Sequence, residues 1–153
     1  MDSIQKHDVV LRRYDAYVDN RFIPGFWNHA GICTGIDEIT HAISDGVVKE
    51  SFFDFCKCDY ICVLRPKFTF SQDILEERLK KAIDKEYDFS FDFRDNDKFS
   101  CTELIHYAFQ GFESGIPLSK MDYFFFQQEL VVPDEVYKSN FKVIYDSRFG
   151  KFK

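Results

Sequence analysis

The chain has 153 residues, an 18.2 kDa mass, a formal charge of −6 and a pI near 5.2. That is the length of one domain, able to bury about 68–70% of its unfolded surface without disulfides, and 45% apolar with 30% charged residues excludes wholesale disorder. The acidic balance argues against a general nucleic-acid binder and against attraction to anionic lipid.

Val9 to Arg13 is a short β-prone run, and Tyr14 to Asn20 reads as a helical turn. Ile23-Pro24-Gly25 is turn punctuation. Asn28 to Thr34 and Ile39 to Ser44 are two short strands, with Gly35-Ile36-Asp37 between them as a hairpin loop. Asp45-Gly46 is a second turn, leading into Val47-Val48, and Asp59 to Arg65 is a buried strand. Ser71 to Lys85 carries a capping serine, early acids and apolar residues at helical spacing (Ile74, Leu75, Leu79, Ala82 and Ile83). A second helix is expected from Cys101 to Phe112, with Leu104, Ile105, Ala108, Phe109 and Phe112 as its apolar stripe. Val131 to Val136 and Phe141 to Tyr145 read as closing strands. Strands come early and helices later, without βαβ alternation. The expected class is α+β, one domain over 1–153 with helices packed on an antiparallel sheet.

Cys101 opens its helix. Free backbone N–H groups and the helix dipole there favour a thiolate and can hold an oxyanion; the competing reading is a small buried hydrophobe. A thiol nucleophile needs a base, and the base an orienting partner. A three-residue loop at 35–37 sets Gly31 opposite His41, so that His29 and His41 lie diagonally on one face, about 7–8 Å apart at Cβ or less. A two-residue loop would put them on opposite faces. His7 reads as part of a loose terminus, His106 as structural, and Glu103 as a supporter of the helix end. The five cysteines, at 33, 56, 58, 62 and 101, are odd in number and read as free thiols of a reducing compartment. Cys56, Cys58 and Cys62 share strand parity; with a histidine they leave a zinc site open, although the spacing is not a standard zinc pattern.

Several blocks together resemble a known family. They are Asp8-Val9-Val10-Leu11; Phe22 to Ile32, containing Pro24-Gly25-Phe26-Trp27-Asn28-His29; Thr40-His41-Ala42; Gly46-Val47-Val48; Val63-Leu64-Arg65-Pro66; Tyr87-Asp88-Phe89; and Ser100-Cys101-Thr102-Glu103-Leu104. In this order they resemble the YiiX/YebB-like branch of the NlpC-type cysteine hydrolases, in which the papain-like catalytic order is circularly permuted. The resemblance runs from residue 8 to the late 130s. It implies a permuted papain-like fold with Cys101 as nucleophile, His29 as general base and His41 as the orienting residue. That branch often carries Glu in place of His41, so Glu38 and Glu50 stand as alternatives. Tyr87 and Asp88 would shape the site, with Tyr87 and Trp27 as substrate-binding residues.

The expected activity is hydrolysis of an amide or ester through an acyl-enzyme on Cys101, amidase- or peptidase-like, with no cofactor and no metal. The substrate would be a small peptide, amide or acyl compound; the abundant Phe suits an acyl pocket, to which Tyr123 and Phe124 to Phe126 could contribute as well as to plain core. An acyltransferase or lipid-directed thiol hydrolase, or a binding module with a retired site, are the alternatives. Nucleic acid is not an expected partner, and no stable membrane insertion is expected, since no apolar run nears the roughly 20 residues a span needs. Met1 to Lys6 lacks a signal-peptide layout, which points to the cytoplasm.

Overall fold

The computed structural model of the protein describes residues 4–16, 23–91, 95–123 and 126–152, for 121–123, 126–128 and 151–152 the backbone alone. The expected turn over 14–20 lies partly outside these residues, as do the side chains of Tyr123 to Phe126. In chain order the elements are β1 (Val9–Arg13), β2 (His29–Gly35), β3 (Glu38–Ile43), β4 (Gly46–Glu50), α1 (Phe52–Phe55), β5 (Tyr60–Pro66), α2 (Gln72–Ala82), α3 (Cys101–Phe109), β6 (Ser119–Tyr123), β7 (Phe126–Leu130), α4 (Pro133–Lys138), β8 (Phe141–Asp146) and β9 (Lys151–Phe152). Seven strands form one antiparallel sheet in the order β4-β3-β2-β1-β5-β8-β9, and β6 pairs with β7 separately.

The sheet has two unequal faces. Val9, Leu11, Ala30, Ile32, Ala42 and Leu64 point one way and meet Leu75 and Leu79 of α2 and Leu104, Ile105 and Phe109 of α3 in the main core. The alternate residues Val10, Cys33 and Ile39 point the other way, under Phe55 of the short α1. Both faces of the central strands are therefore dry, which is why β1 reads as a continuous apolar run before its two arginines.

The helices begin where their caps stand. Ser71 Oγ accepts from Ile74 N–H at 3.4 Å. At α3 the box is reciprocal: Ser100 Oγ accepts from Glu103 N–H at 3.4 Å, and Glu103 Oε2 accepts from Ser100 N–H at 2.6 Å. Glu103 thus fixes the first turn of the cysteine helix, as expected of it. Two segments differ from expectation. Residues 131–136 are not a strand: Pro133 supplies the preset φ of a first helical position, Asp134 and Glu135 fill the first turn, and α4 forms instead. Phe52–Phe55 makes an unforeseen helical turn, capped by Ser51, whose Oγ accepts from Asp54 N–H at 3.1 Å.

Asp134 also ties α4 to the approach of β2. Its Oδ1 accepts from the backbone N–H groups of both Phe26 and Trp27 at 2.8 Å. Gly25, at φ +105°, leaves the room for that carboxylate, which a Cβ there would strike. His7 is not on a loose end. It is buried, at φ 73°, edge-on to Phe70 with centroids 5.7 Å apart, and its Nε2 is 3.2 Å from Glu76.

Candidate active site

The β2–β3 hairpin reaches the expected histidine register by a different route. Its loop holds two residues, Ile36 and Asp37, with Gly35 opposite Glu38. A bulge between Cys33 and Gly35 absorbs Thr34, and beyond it Cys33 faces Ile39 and Gly31 faces His41. The extra residue offsets the shorter loop, so His29 and His41 still share a face. His29 Nε2 and His41 Nδ1 are 2.8 Å apart. Phe55 covers both rings, at centroid distances of 5.8 and 5.2 Å. Gly31 is required between them, since a Cβ there would lie 2.6 Å from Ile39 Cγ2 and 3.2 Å from His41 Cβ.

Behind His41 stands Glu50. The β3–β4 turn sets His41 opposite Val48, which makes Glu50 its diagonal neighbour on the other side. Glu50 Oε2 is 3.3 Å from His41 Nε2, although this buried nitrogen makes no hydrogen bond of good geometry among the described residues. Glu38 is elsewhere, accepting from Thr34 Oγ1 at 2.8 Å and pairing with Lys49 at 3.0 Å. Arg12 faces His29 across β1 and β2. Its guanidinium stacks 4.1 Å from the Phe55 centroid, and its Nη1 is 3.3 Å from Phe55 O and 3.4 Å from Glu50 Oε2. Sequence reading missed Arg12, although its place in an apolar strand was the signal: a cation at such a position is expensive to bury.

Cys101 approaches from the other side of the sheet, on the first turn of α3. The β2–β3 ladder ends at the Gly31–His41 pair, and the backbone N–H groups of Ala30, Thr102 and Cys101 favour the thiolate form of the sulfur. Cys101, Thr102, His29, Arg12 and Tyr87 line one cavity of about 500 Å³. Among the described residues Cys101 Sγ makes no hydrogen bond to either imidazole; His29 shares its cavity and His41 stands one ring behind. Tyr87 is in the wall, held by a loop that Asp88 folds by accepting from Ser90 N–H at 2.7 Å and Ser90 Oγ at 2.6 Å. Trp27 is not in the wall: it is buried in the main core, edge-on to Phe26.

The electrostatics differ from the sequence expectation. Burial pushes the Cys101 thiol up to about 11 and outweighs the backbone N–H groups that favour the thiolate. Burial, then Arg12, then His41 hold His29 well below the usual imidazole value, and burial with Arg12 brings His41 down to about 4. At neutral pH the site is a neutral thiol beside a neutral histidine pair.

The other cysteines do not compose a second centre. Cys33 and Cys62 are buried in strands, Cys56 caps α1 and Cys58 Sγ points at Tyr60 O at 3.2 Å. Only Cys62 of the three is in a strand, so their shared parity is not a shared face. Among the described residues no group of three or more His, Cys, Asp or Glu converges as a metal site would require, and no helix is long and apolar enough to cross a membrane.

A model of the permuted papain-like amidases, the YaeF/YiiX or C92 family, matches residues 3–145. The chain belongs to this family. The crystal structure of the metalloprotein yiiX from Escherichia coli O157:H7 superposes with a TM-score of 0.78 at 16% identity, covering 92% of this chain and 96% of that one. A likeness at that identity concerns the fold, which is the permuted papain-like α+β arrangement. A search of curated proteins gave no match.

Proposed function

We propose that the protein is a cysteine amidase that cleaves an amide or ester through an acyl-enzyme on Cys101, with His29 as general base and His41 as its orienting partner. The observation that carries this reading is the 2.8 Å contact between His29 Nε2 and His41 Nδ1 beside the cavity that also holds Cys101. It engages one nitrogen of His29 and leaves Nδ1 for the thiol. The tautomers then follow. Glu50, as a carboxylate, favours a proton on His41 Nε2; His41 Nδ1 accepts from His29 Nε2–H; and His29 Nδ1 is the basic atom. The third position is thus a histidine backed by a carboxylate, which combines the alternatives His41 and Glu50.

Because thiol and imidazole are both neutral at rest, proton transfer accompanies attack. The Cys101 proton passes to His29 Nδ1 as sulfur bonds to the carbonyl carbon. The backbone N–H of Cys101 is a donor toward the resulting oxyanion. His29 returns the proton to the leaving nitrogen or oxygen, and water, deprotonated by the same nitrogen, releases the acid. No step uses a metal. The fold relative is described as a metalloprotein; here His29 Nε2 and His41 Nδ1 face each other, His41 Nε2 faces Glu50, and among the described residues no group of three or more His, Cys, Asp or Glu converges as a ligand set.

The test is intact mass after exposure to activated acyl esters and amides. The wild type should gain one acyl group, and Cys101→Ala none. An adduct that persists in Cys101→Ala, or a correctly folded wild type that is never acylated, would overturn the assignment; the second result would make the cavity a binding site without turnover.

A further inference from the structure

The cavity that holds Cys101 is chemically lopsided. In a protein of formal charge −6, no carboxylate lines it among the described residues, and Arg12 is the only side chain among them there that is charged at neutral pH. Most of the remaining wall is hydrocarbon, including Ile23, Ile43, Phe89, Phe91, Leu130 and Val132. Arg12 is itself about nine-tenths buried. Both its polar contacts among the described residues come from Nη1 and are long, at 3.3 and 3.4 Å, while its buried Nε has no partner there. Glu50 and Phe55 O therefore use a small part of a five-donor fork. A buried guanidinium normally takes a bidentate carboxylate or phosphate. This molecule shows what that looks like when complete: Arg65 holds Asp8 through Nε at 2.9 Å and Nη2 at 2.8 Å.

We infer that the substrate is an N-acyl amino acid, its acyl chain against the apolar wall and its free carboxylate on Arg12, with the amide between them at Cys101. This rests on the reading of Cys101 and His29 as nucleophile and base. The reaction balances without a further reactant besides water. Sulfur bonds to the acyl carbon and the C–N bond breaks. The thiol proton, carried by His29, goes to the nitrogen, and the amino acid leaves with its carboxylate. Water then cleaves the thioester to give the carboxylic acid and restores the thiol. An anion at Arg12 also shares the guanidinium with Glu50, so Arg12 fixes the substrate and the relay together.

The experiment compares N-decanoylglycine, N-methyldecanamide and N-acetylglycine. They contain the same type of bond, with both features, without the carboxylate and without the chain. Binding is measured on Cys101→Ala, where turnover does not intervene, and kcat/KM on the wild type. N-decanoylglycine should bind more tightly than N-methyldecanamide by roughly tenfold or more, the size expected of a hydrogen bond to a charged group, and should exceed N-acetylglycine as well. Arg12→Gln should bring the first ratio close to one, and Arg12→Lys should restore part of it. The ratio between substrates is the decisive readout, because any effect of Arg12 on His41 through Glu50 acts on both alike. Equal binding of N-decanoylglycine and N-methyldecanamide overturns the proposal. Cys101 acylation by activated esters together with that equality would leave the nucleophile assignment standing and remove only the carboxylate; a clear carboxylate preference in binding without any acylation would do the reverse.

Discussion

Two arginine clusters in this protein use the same parts and finish in opposite states. At the β5–β8 end, Asp146 accepts from Arg148 Nη2 at 2.7 Å, from Nε at 3.0 Å and from Tyr137 Oη at 3.2 Å, and the guanidinium is stacked among Phe26, Trp27 and Tyr137. At the β2–β3 end, Arg12 stacks on Phe55 but reaches Glu50 only at 3.4 Å, and His41 Nε2 faces the same carboxylate without good geometry. The first cluster closes on itself and spends its bonding capacity on holding the last strands. The second keeps capacity in reserve beside a cavity. Unmet hydrogen bonding in a dry site costs stability, and it is tolerable where a bound molecule or a moving proton completes it.

Four outcomes break or sharpen this contrast. The largest belongs to the incomplete cluster: His29→Ala should lower the rate of Cys101 acylation by about 10²–10⁴-fold, measured by time-resolved mass, with thermal stability maintained. A full-rate variant would remove His29 as base. In the complete cluster the effects reverse. Asp146→Ala should cost about 3 kcal/mol in denaturant unfolding, the low end for breaking a buried pair because Arg148 keeps some exposure, while the folded fraction still acylates normally. Loss of acylation without loss of stability would mean the two ends are coupled.

Gly31→Ala tests the spacing of the pair. Its Cβ meets Ile39, His41 and Phe55 at once, so about 1–3 kcal/mol of destabilisation is expected, together with slower acylation; an unchanged melting temperature would show that His41 has room to shift. The smallest effect is on pH. His7, His29, His41 and His106 all have folded values below 6.5, so the unfolded chain binds more protons as the pH falls. Stability should therefore decline from about pH 6.5 toward pH 4, where His41 itself begins to charge. Melting temperature against pH reads this directly, and a flat profile across that window would contradict burial of neutral imidazoles.

The sheet and the two long helices were legible because their signals are local. Ser71 and Ser100 mark the starts of α2 and α3, and the apolar stripes follow. The histidine pair was legible through register, but for an incomplete reason: an alternation argument counts a loop and does not see a bulge, and here the bulge at Thr34 offsets the shorter turn. Glu50 was within reach of the same diagonal rule applied to the Asp45-Gly46 turn. Arg12 carried a signal, a cation within an apolar strand, but its role comes from pairing with His29 and from Phe55 above, both remote in sequence. Trp27 entered the expected site through the resemblance; it precedes β2, where strand alternation with His29 no longer sets its direction, and it belongs to the core. The thiol was misjudged in sign because a helix end is visible in sequence and desolvation is not.

The protonated resting state of Cys101 bears on what can damage or inhibit the protein. Peroxides and simple alkylating reagents select sulfur by its anionic character and access, and this sulfur offers little of either. Selectivity would therefore be decided before any bond forms, by which molecules settle into the pocket and align an electrophilic carbon with sulfur and imidazole together. A useful inhibitor would be chosen for its shape and its anionic tail first, with only a mild warhead.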